Sequence, residues 1–405
     1  MAAKNSNPNG GVRSKKGIAL IIALFAMIMM VFIAEEVSRD ATVEYVISSQ
    51  AVNRVRAYYA AKAGIEISLL RLMVYKQAVA AMGQENAAML EPIWQFPFMW
   101  PPIAAGTEVD KSIIQDAVSE SLMTEQYTTQ ITSEGGRIDI NDVGSPVKAL
   151  SEATKKLILK IFQDQLQTDR EFQKKYGNEK FEELVNNIAD WVDEDKESQN
   201  GGEESRPYQD LEDASKFPPN RAFRTVEELH MVGGMKDDFY RLLEPRITVY
   251  GTMGISINYA PKEVLMSLDA TMTDEVVTEL INIRSDPKRG PFKTADEFLS
   301  EAARLGANTR NIEALKIPLL TGIEYNFRIK STGISNNIGR TLTAVTYDFD
   351  NLAKQLAKSL DEQAKKDNPP DDKTPPKEDP KDDQKQSSDY IGPKGRPTVV
   401  LWQEN

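Results

Sequence analysis

The longest uninterrupted apolar run of this chain lies close to its start. Residues 14–36 read SKKGIALIIALFAMIMMVFIAEE, an uncharged stretch from Ile18 to Ala34 between a basic approach and two glutamates. As a helix the run spans about 25 Å, the low end of what crosses a bilayer. Residues 1–17 carry Lys4, Arg13, Lys15 and Lys16 and no acid, so the charge bias keeps this end in the cytoplasm and sends the rest of the chain outside. Cleavage beyond the run as an ordinary secretory signal is disfavoured, because the candidate Ala34 has bulky Phe32 at the −3 position. Residues 35–82 lack proline and keep a helical rhythm. One helix is therefore predicted from Ile18 to Met82, with residues 18–34 in the membrane.

Within that helix, YYAAKAGIE places Ala57, Ala60, Ala61 and Gly64 on one small-residue stripe. Either the protein's own globular part or neighbouring helices can pack there. In PIWQFPFMWPP, Trp94, Phe96, Phe98 and Trp100 alternate between prolines, which suits an extended segment laid over a core. Residues 126–140 read as two strands joined at Glu134-Gly135-Gly136. Residues 325–349 read as two more, turning near Ser335-Asn336-Asn337, so strands at 83–140 are expected to be completed by 321–350 in one sheet. Between them lies a weak internal repeat. IDINDV matches ISINYA, ELVNNIADWVD matches ELINIRSD, and RAFRTVEELHMVGG matches GPFKTADEFLSEAARLG. This divides the middle into two helix-hairpin-helix-like units, 141–245 and 246–320. The fold class is α+β. Residues 351–405 turn charged and proline-rich and read as a disordered tail, although Val399-Val400-Leu401-Trp402 could add as a strand to a partner's sheet edge.

Composition then narrows the chemistry. The 405 residues suffice for two or three compact domains, and 40% hydrophobic content supports real cores. There is no cysteine and a single histidine, His230. Disulfides, Ser-His-Asp or Cys-His catalysis and histidine-based zinc sites are thereby disfavoured, and metal clips become the natural staple. His230 is read as structural, at a helix end. The net charge of −12 argues against nucleic-acid binding.

The densest candidate site is acidic. In DWVDEDKESQNGGEESRPY, residues 190–208, Asp193, Asp195, Glu197 and Glu204 fall at positions 1, 3, 5 and 12 of a calcium-loop rhythm. Position 6, where such a loop wants glycine, is Ser198, and a solvated acidic loop fits the spacing equally well. The second unit resembles the DNA-holding hairpin of membrane-anchored DNA-uptake receptors. Its turn is Asp269-Ala270-Thr271, without the glycines that let backbone amides meet phosphate.

The KKG leader with its apolar run, YYAAKAGIE, GGRIDINDV, ADWVDED with GGEESRPY, RAFRTVEELHMVGGM and SINYAPKEVL together resemble the minor pseudopilin K (GspK) family of bacterial type II secretion, over residues 14–350. That resemblance implies a pilin-like α/β fold with a large inserted helical domain. It implies cleavage by a prepilin peptidase after Gly17, removing residues 1–17, with methylation of the new N-terminal Ile18. It also implies a non-enzymatic, single-pass inner-membrane protein, lipid around its helix and its globular part in the periplasm, forming the pseudopilus tip with minor pseudopilins I and J. Calcium is implied in the acidic loop, most directly on Asp193, Asp195, Glu203 and Glu204, with Asp190 and Glu197 as further ligands. Pilin-like families place a glutamate fifth in the mature chain; here that position is Ile22. A minor type IV pilin and a DNA-uptake receptor are the competing readings.

Overall fold

The computed structural model describes residues 15–83, 87–102, 108–210, 216–286, 288–367 and 394–404. Most of the leader, residues 1–14, lies outside these. The proline-free start forms one helix, α1 (Lys15–Met82). None of residues 18–52 is buried, whereas beyond them α1 packs on a sheet through Ala57, Ala60, Ala61, Ile65, Leu69, Leu72, Tyr75 and Val79. Two short helices, α2 (Ala87–Leu90) and α3 (Pro92–Gln95), lead to strand β1 (Phe98–Trp100). The expectation of one extended segment here is half corrected. Proline opens α3, whose Trp94 drops edge-on against Tyr75 and Phe327 in the core, and only Phe98–Trp100 is extended.

After α4 (Glu108–Ser121) comes β2 (Gln126–Ser133), whose Tyr127, Thr129 and Ile131 alternate inward. The strand expected to return along it does not. β3 (Ile138–Asp139) instead pairs in parallel with β4 (Ile247–Thr248), far along the chain. The turn between is held by side chains: Glu134 is buried, pairs with Arg328 and accepts from the Thr248 hydroxyl. A Cβ on Gly136 would lie 2.7 Å from the Tyr259 backbone, so the chain passes too close to the helical part for a hairpin.

The first helical unit contains α5 (Lys148–Thr168), α6 (Arg170–Tyr176), α7 (Phe181–Val192) and α8 (Asp237–Leu243). The second starts at β5 (Ile255–Ser256), holds α9 (Lys262–Met266), α10 (Asp274–Ser285), α11 (Ala295–Arg304) and α12 (Thr309–Leu315), and ends at β6 (Leu319–Leu320), parallel to β5. Each repeat thus closes on its own parallel strand pair. The repeated residues explain why. Asn141 of IDIN donates to the Phe223 carbonyl at 3.1 Å and accepts from its N–H at 2.7 Å. Asn258 of ISIN does the same to Phe292, at 2.9 and 3.0 Å. The two units share one core running from Ile138 to Ile317.

The chain then returns to the sheet as β7 (Phe327–Ser335) and β8 (Ile338–Thr346), a hairpin whose two turn residues, Asn336 and Asn337, sit at φ 45° and 65° as such tight turns require. The five-stranded sheet runs β1-β2-β7-β8-β9, all antiparallel, so the two strand regions do meet across everything between them. Gly333 and Gly64 set its distance from α1: a Cβ on Gly333 would lie 2.1 Å from the Ala57 carbonyl oxygen, and one on Gly64 2.3 Å from Ser331 Oγ. The small-residue stripe therefore serves the protein's own sheet.

The expected tail from 351 onward is corrected at both ends. Phe349–Asp367 is a helix, α13, whose Leu356 and Leu360 pack on the helical core, and Val399–Glu404 is strand β9, paired with β8. The composition misled because α13 keeps an apolar stripe among its charges. Residues 368–393, the most proline-rich part, lie outside the described residues. β7 runs from Phe327, packed edge-on to Tyr75, down to a turn whose Asn336 bonds Asn53 at 3.1 Å. The helical domain therefore joins the sheet at the end of α1 remote from the apolar run, about 33 Å along the helix from the Asn53 contact.

Candidate metal centre

Helix α7 is strongly amphipathic, burying Phe181, Leu184, Val185, Ile188 and Trp191. Its register carries Asp190 inward on the last turn, and Asp193 caps its end, N–H to the Ala189 carbonyl at 3.0 Å. The following loop doubles back. Ser198 N–H bonds the Gly202 carbonyl at 3.0 Å, and Gly201 and Gly202 take φ 85° and 93°, which glycine alone adopts without strain. A bridge between Glu197 and Glu203 brings Glu204 back over the end of α7. Beyond it a 3₁₀ turn, Arg206–Tyr208, is pinned because the buried Tyr208 hydroxyl accepts from Gly233 N–H at 3.1 Å and the ring stacks on Phe217.

The outcome is three carboxylates in one place. Ligand oxygens of Asp190, Asp193 and Glu204 lie within 4.8 Å of one another. Asp190 is 3% exposed and Glu204 4%. Asp190 is held by the Ser198 hydroxyl at 2.7 Å and Gln199 N–H at 3.1 Å, Asp193 by the Gln199 amide at 3.2 Å, and Glu204 by Asn220 at 3.0 Å. Asp193 Oδ1 and Glu204 Oε1 have no hydrogen-bond partner. Burial, and then the neighbouring acids, pushes all three carboxyls above their usual range, Glu204 to about 7.

This donor set fits a hard cation. Two oxygens on one calcium ion at about 2.4 Å stand at most about 4.8 Å apart, and two of the oxygens here are buried without a donor. The spacing reading is corrected in part. Asp193 and Glu204 meet, joined by Asp190, while Asp195, Glu197 and Glu203 are exposed. Asp195 is occupied in turning the loop, accepting from Glu197 N–H at 2.8 Å. A linear calcium-loop count assumes a chain that winds round the ion, whereas here a helix end and a returning strand supply the ligands. The i, i+3 relation of Asp190 to Asp193 was the available signal for Asp190; nothing in the spacing pointed to Asn220.

Other sequence candidates resolve structurally. Asp269 is buried and accepts from Thr271 N–H and Asn311, so the hairpin turn spends an amide on its own carboxylate. His230 lies in the 3₁₀ turn Val226–Met231 with its ring 3.9 Å from that of Tyr240. Gly17, Ile18 and Ile22 lie in the first turns of α1. Among the described residues one helix is long and apolar enough to cross a membrane, and its apolar window is wholly exposed, as fits a single-pass anchor.

Residues 136–252 match the family model for protein K of the type II secretion system, first domain. No curated protein matches the chain. Among solved structures, a chain of the GspK-GspI-GspJ complex from the enterotoxigenic Escherichia coli type 2 secretion system aligns with a TM-score of 0.51 at 16% identity, covering 75% of this chain and 94% of that one. At this identity the likeness is one of fold, a mixed helix and sheet body behind a long N-terminal helix. The matched segment spans the whole first repeat and the acidic cluster, so over these residues the chain is similar to the first domain of type II secretion protein K, and the likeness in fold to the solved chain extends beyond them.

Proposed function

We propose that this protein is a non-enzymatic tip subunit that caps and initiates a periplasmic pseudopilus, supporting export across the outer membrane. One observation carries the reading: the helical domain joins the sheet at the end of α1 remote from the apolar run. A subunit added above would have to pass that bulk, while subunits added below would meet only the bare helix. In this reading a prepilin peptidase cuts between Gly17 and Ile18, Ile18 is methylated, and the helix anchors in the inner membrane with its start cytoplasmic. Ile22 offers no carboxylate to a neighbour's terminal amine, which suits a first subunit whose own amine stays available. The partners are minor pseudopilins of the I and J type, the proteins with which the structural neighbour was solved. Asp190, Asp193 and Glu204 would hold calcium, which supplies the positive charge their packing lacks and fixes the loop to α7.

Disulfide crosslinking from single cysteines placed along residues 23–34 tests the position. Crosslinks to minor partners on one side are expected; a regular ladder of this chain with itself would make it a shaft subunit.

A further inference from the structure

The sheet ends on β9, and β9 is shallowly held. Of its six residues only Val399 and Leu401 are half-buried. Val399 touches the core under α1, and Leu401 and Gln403 line a small cavity with Arg137, Tyr250 and Arg328. Two exposed ion pairs flank it, Arg396–Glu66 at 3.1 Å and Arg340–Glu404 at 3.3 Å.

What β9 covers is different. Its register runs from Leu342↔Glu404 to Thr346↔Val399, and Leu342, Ala344, Val345 and Thr346 of β8 are fully buried. Residues 341–346 read TLTAVT, uncharged, largely β-branched and free of glycine and proline. Segments of that composition pair with copies of themselves when an edge is open. An antiparallel edge can also meet an identical edge across a two-fold axis. β9 lies over all of this stretch except Thr341.

We propose that β9 is a closing strand: it occupies a strand-accepting edge on β8 that, once vacated, pairs with the same edge of a second copy of this chain. With β9 in place the subunit stays single. A second copy is the occupant because TLTAVT supplies both halves of the pairing and carries no charge to repel itself. β9 suits the closing role, being shorter than β8 and ending in an acid, features that blunt an edge.

The test compares the full chain in detergent with one ending at residue 393, by light scattering. The intact chain is expected as one copy per micelle and the shortened chain as two, with the peptide of residues 394–405 in excess restoring one. A full-length Leu401→Pro variant, in which β9 is loosened but the chain is whole, is expected to double likewise. The chain has no cysteine. Thr343→Cys should therefore give an oxidised dimer in the shortened chain, and with Gln403→Cys an internal bond in the intact one. A shortened chain that stays single at the same concentration, or an association that the peptide does not dissolve, overturns the proposal.

Discussion

At the scale of single residues the molecule carries two sorts of buried acid, and they respond to different reagents. The cluster of Asp190, Asp193 and Glu204 gathers three carboxylates, with one oxygen of Asp193 and one of Glu204 unpartnered, so a cation should stabilise it. At a hundredfold excess over its dissociation constant, calcium is expected to add about 2.7 kcal/mol, read as a raised melting temperature lost with chelator. Glu204→Gln should lose that response yet melt higher than the parent in chelator, because it removes one of three crowded charges. Loss of stability in both conditions would show that the carboxylate has some other role. Glu324 is different: it is 1% exposed in the hinge between sheet and helical domain, and its oxygens accept from Ser133 and the N–H groups of Tyr325 and Asn326. Burial raises its carboxyl from 4.5 to about 7 despite those bonds. The folded state therefore holds the proton better than the unfolded one, and this group's contribution is greatest below pH 4.5 and falls as pH rises to about 7. Glu324→Gln keeps the shape and can donate to Ser133. It should flatten that decline and stabilise the protein above pH 7 by on the order of 3 kcal/mol, in urea titrations across pH.

Elements show what the sequence could and could not reveal. The two repeats were legible because a matched residue does the same work twice: Asn141 and Asn258 each replace a strand neighbour for a phenylalanine backbone. Asn141→Ala and Asn258→Ala should each cost about 1–3 kcal/mol, since each leaves an N–H and a carbonyl unpaired. Similar losses at both positions in urea unfolding are expected; a loss at one only would mean that the duplication is a likeness of sequence without shared energetics. α1 and the β7–β8 hairpin were equally legible, one from its unbroken apolar rhythm and the other from alternation into an Asn-Asn turn. What stayed hidden depended on distant partners. β3 left β2 because Glu134 finds Arg328 and Thr248, residues no local pattern brings near. α13 vanished into a charged composition, and β9 was legible only as a segment that could join an edge, because their few apolar residues make sense only against a core and an edge already built. The acidic site was legible as a region: Asp193 and Glu204 meet, with Asp190 beside them, whereas Asp195, Glu197 and Glu203 stay outside the cluster because the loop folds back instead of circling.

For the whole molecule the division falls along α1. Lys76, near its far end, is buried and joins the Asp348 carboxylate at 2.8 Å and the Tyr325 carbonyl at 2.9 Å, tying the helix to both chain segments that leave the sheet there. At the other end, no residue from 18 to 52 is buried, and the first anchored side chain is Asn53 against the β7–β8 turn. The globular part thus draws no packing from the first ten or so turns of its own helix. Those turns expose Phe25, Phe32, Tyr45 and Ile47, apolar surface that a bilayer and neighbouring subunits can cover. A chain beginning at Ala51 should therefore stay in solution without detergent. Its stability should also match the parent within about 0.5 kcal/mol, as changes at unburied positions do. Calorimetry of the two proteins, the parent in micelles, gives the comparison. If the shortened chain melted well below the parent, the free half of α1 would be supporting the domain, and the separation between an assembly stalk and a self-sufficient head would be wrong. If instead the two melted together, every contact the stalk makes in a filament would add to association alone, leaving the fold of the head as it is.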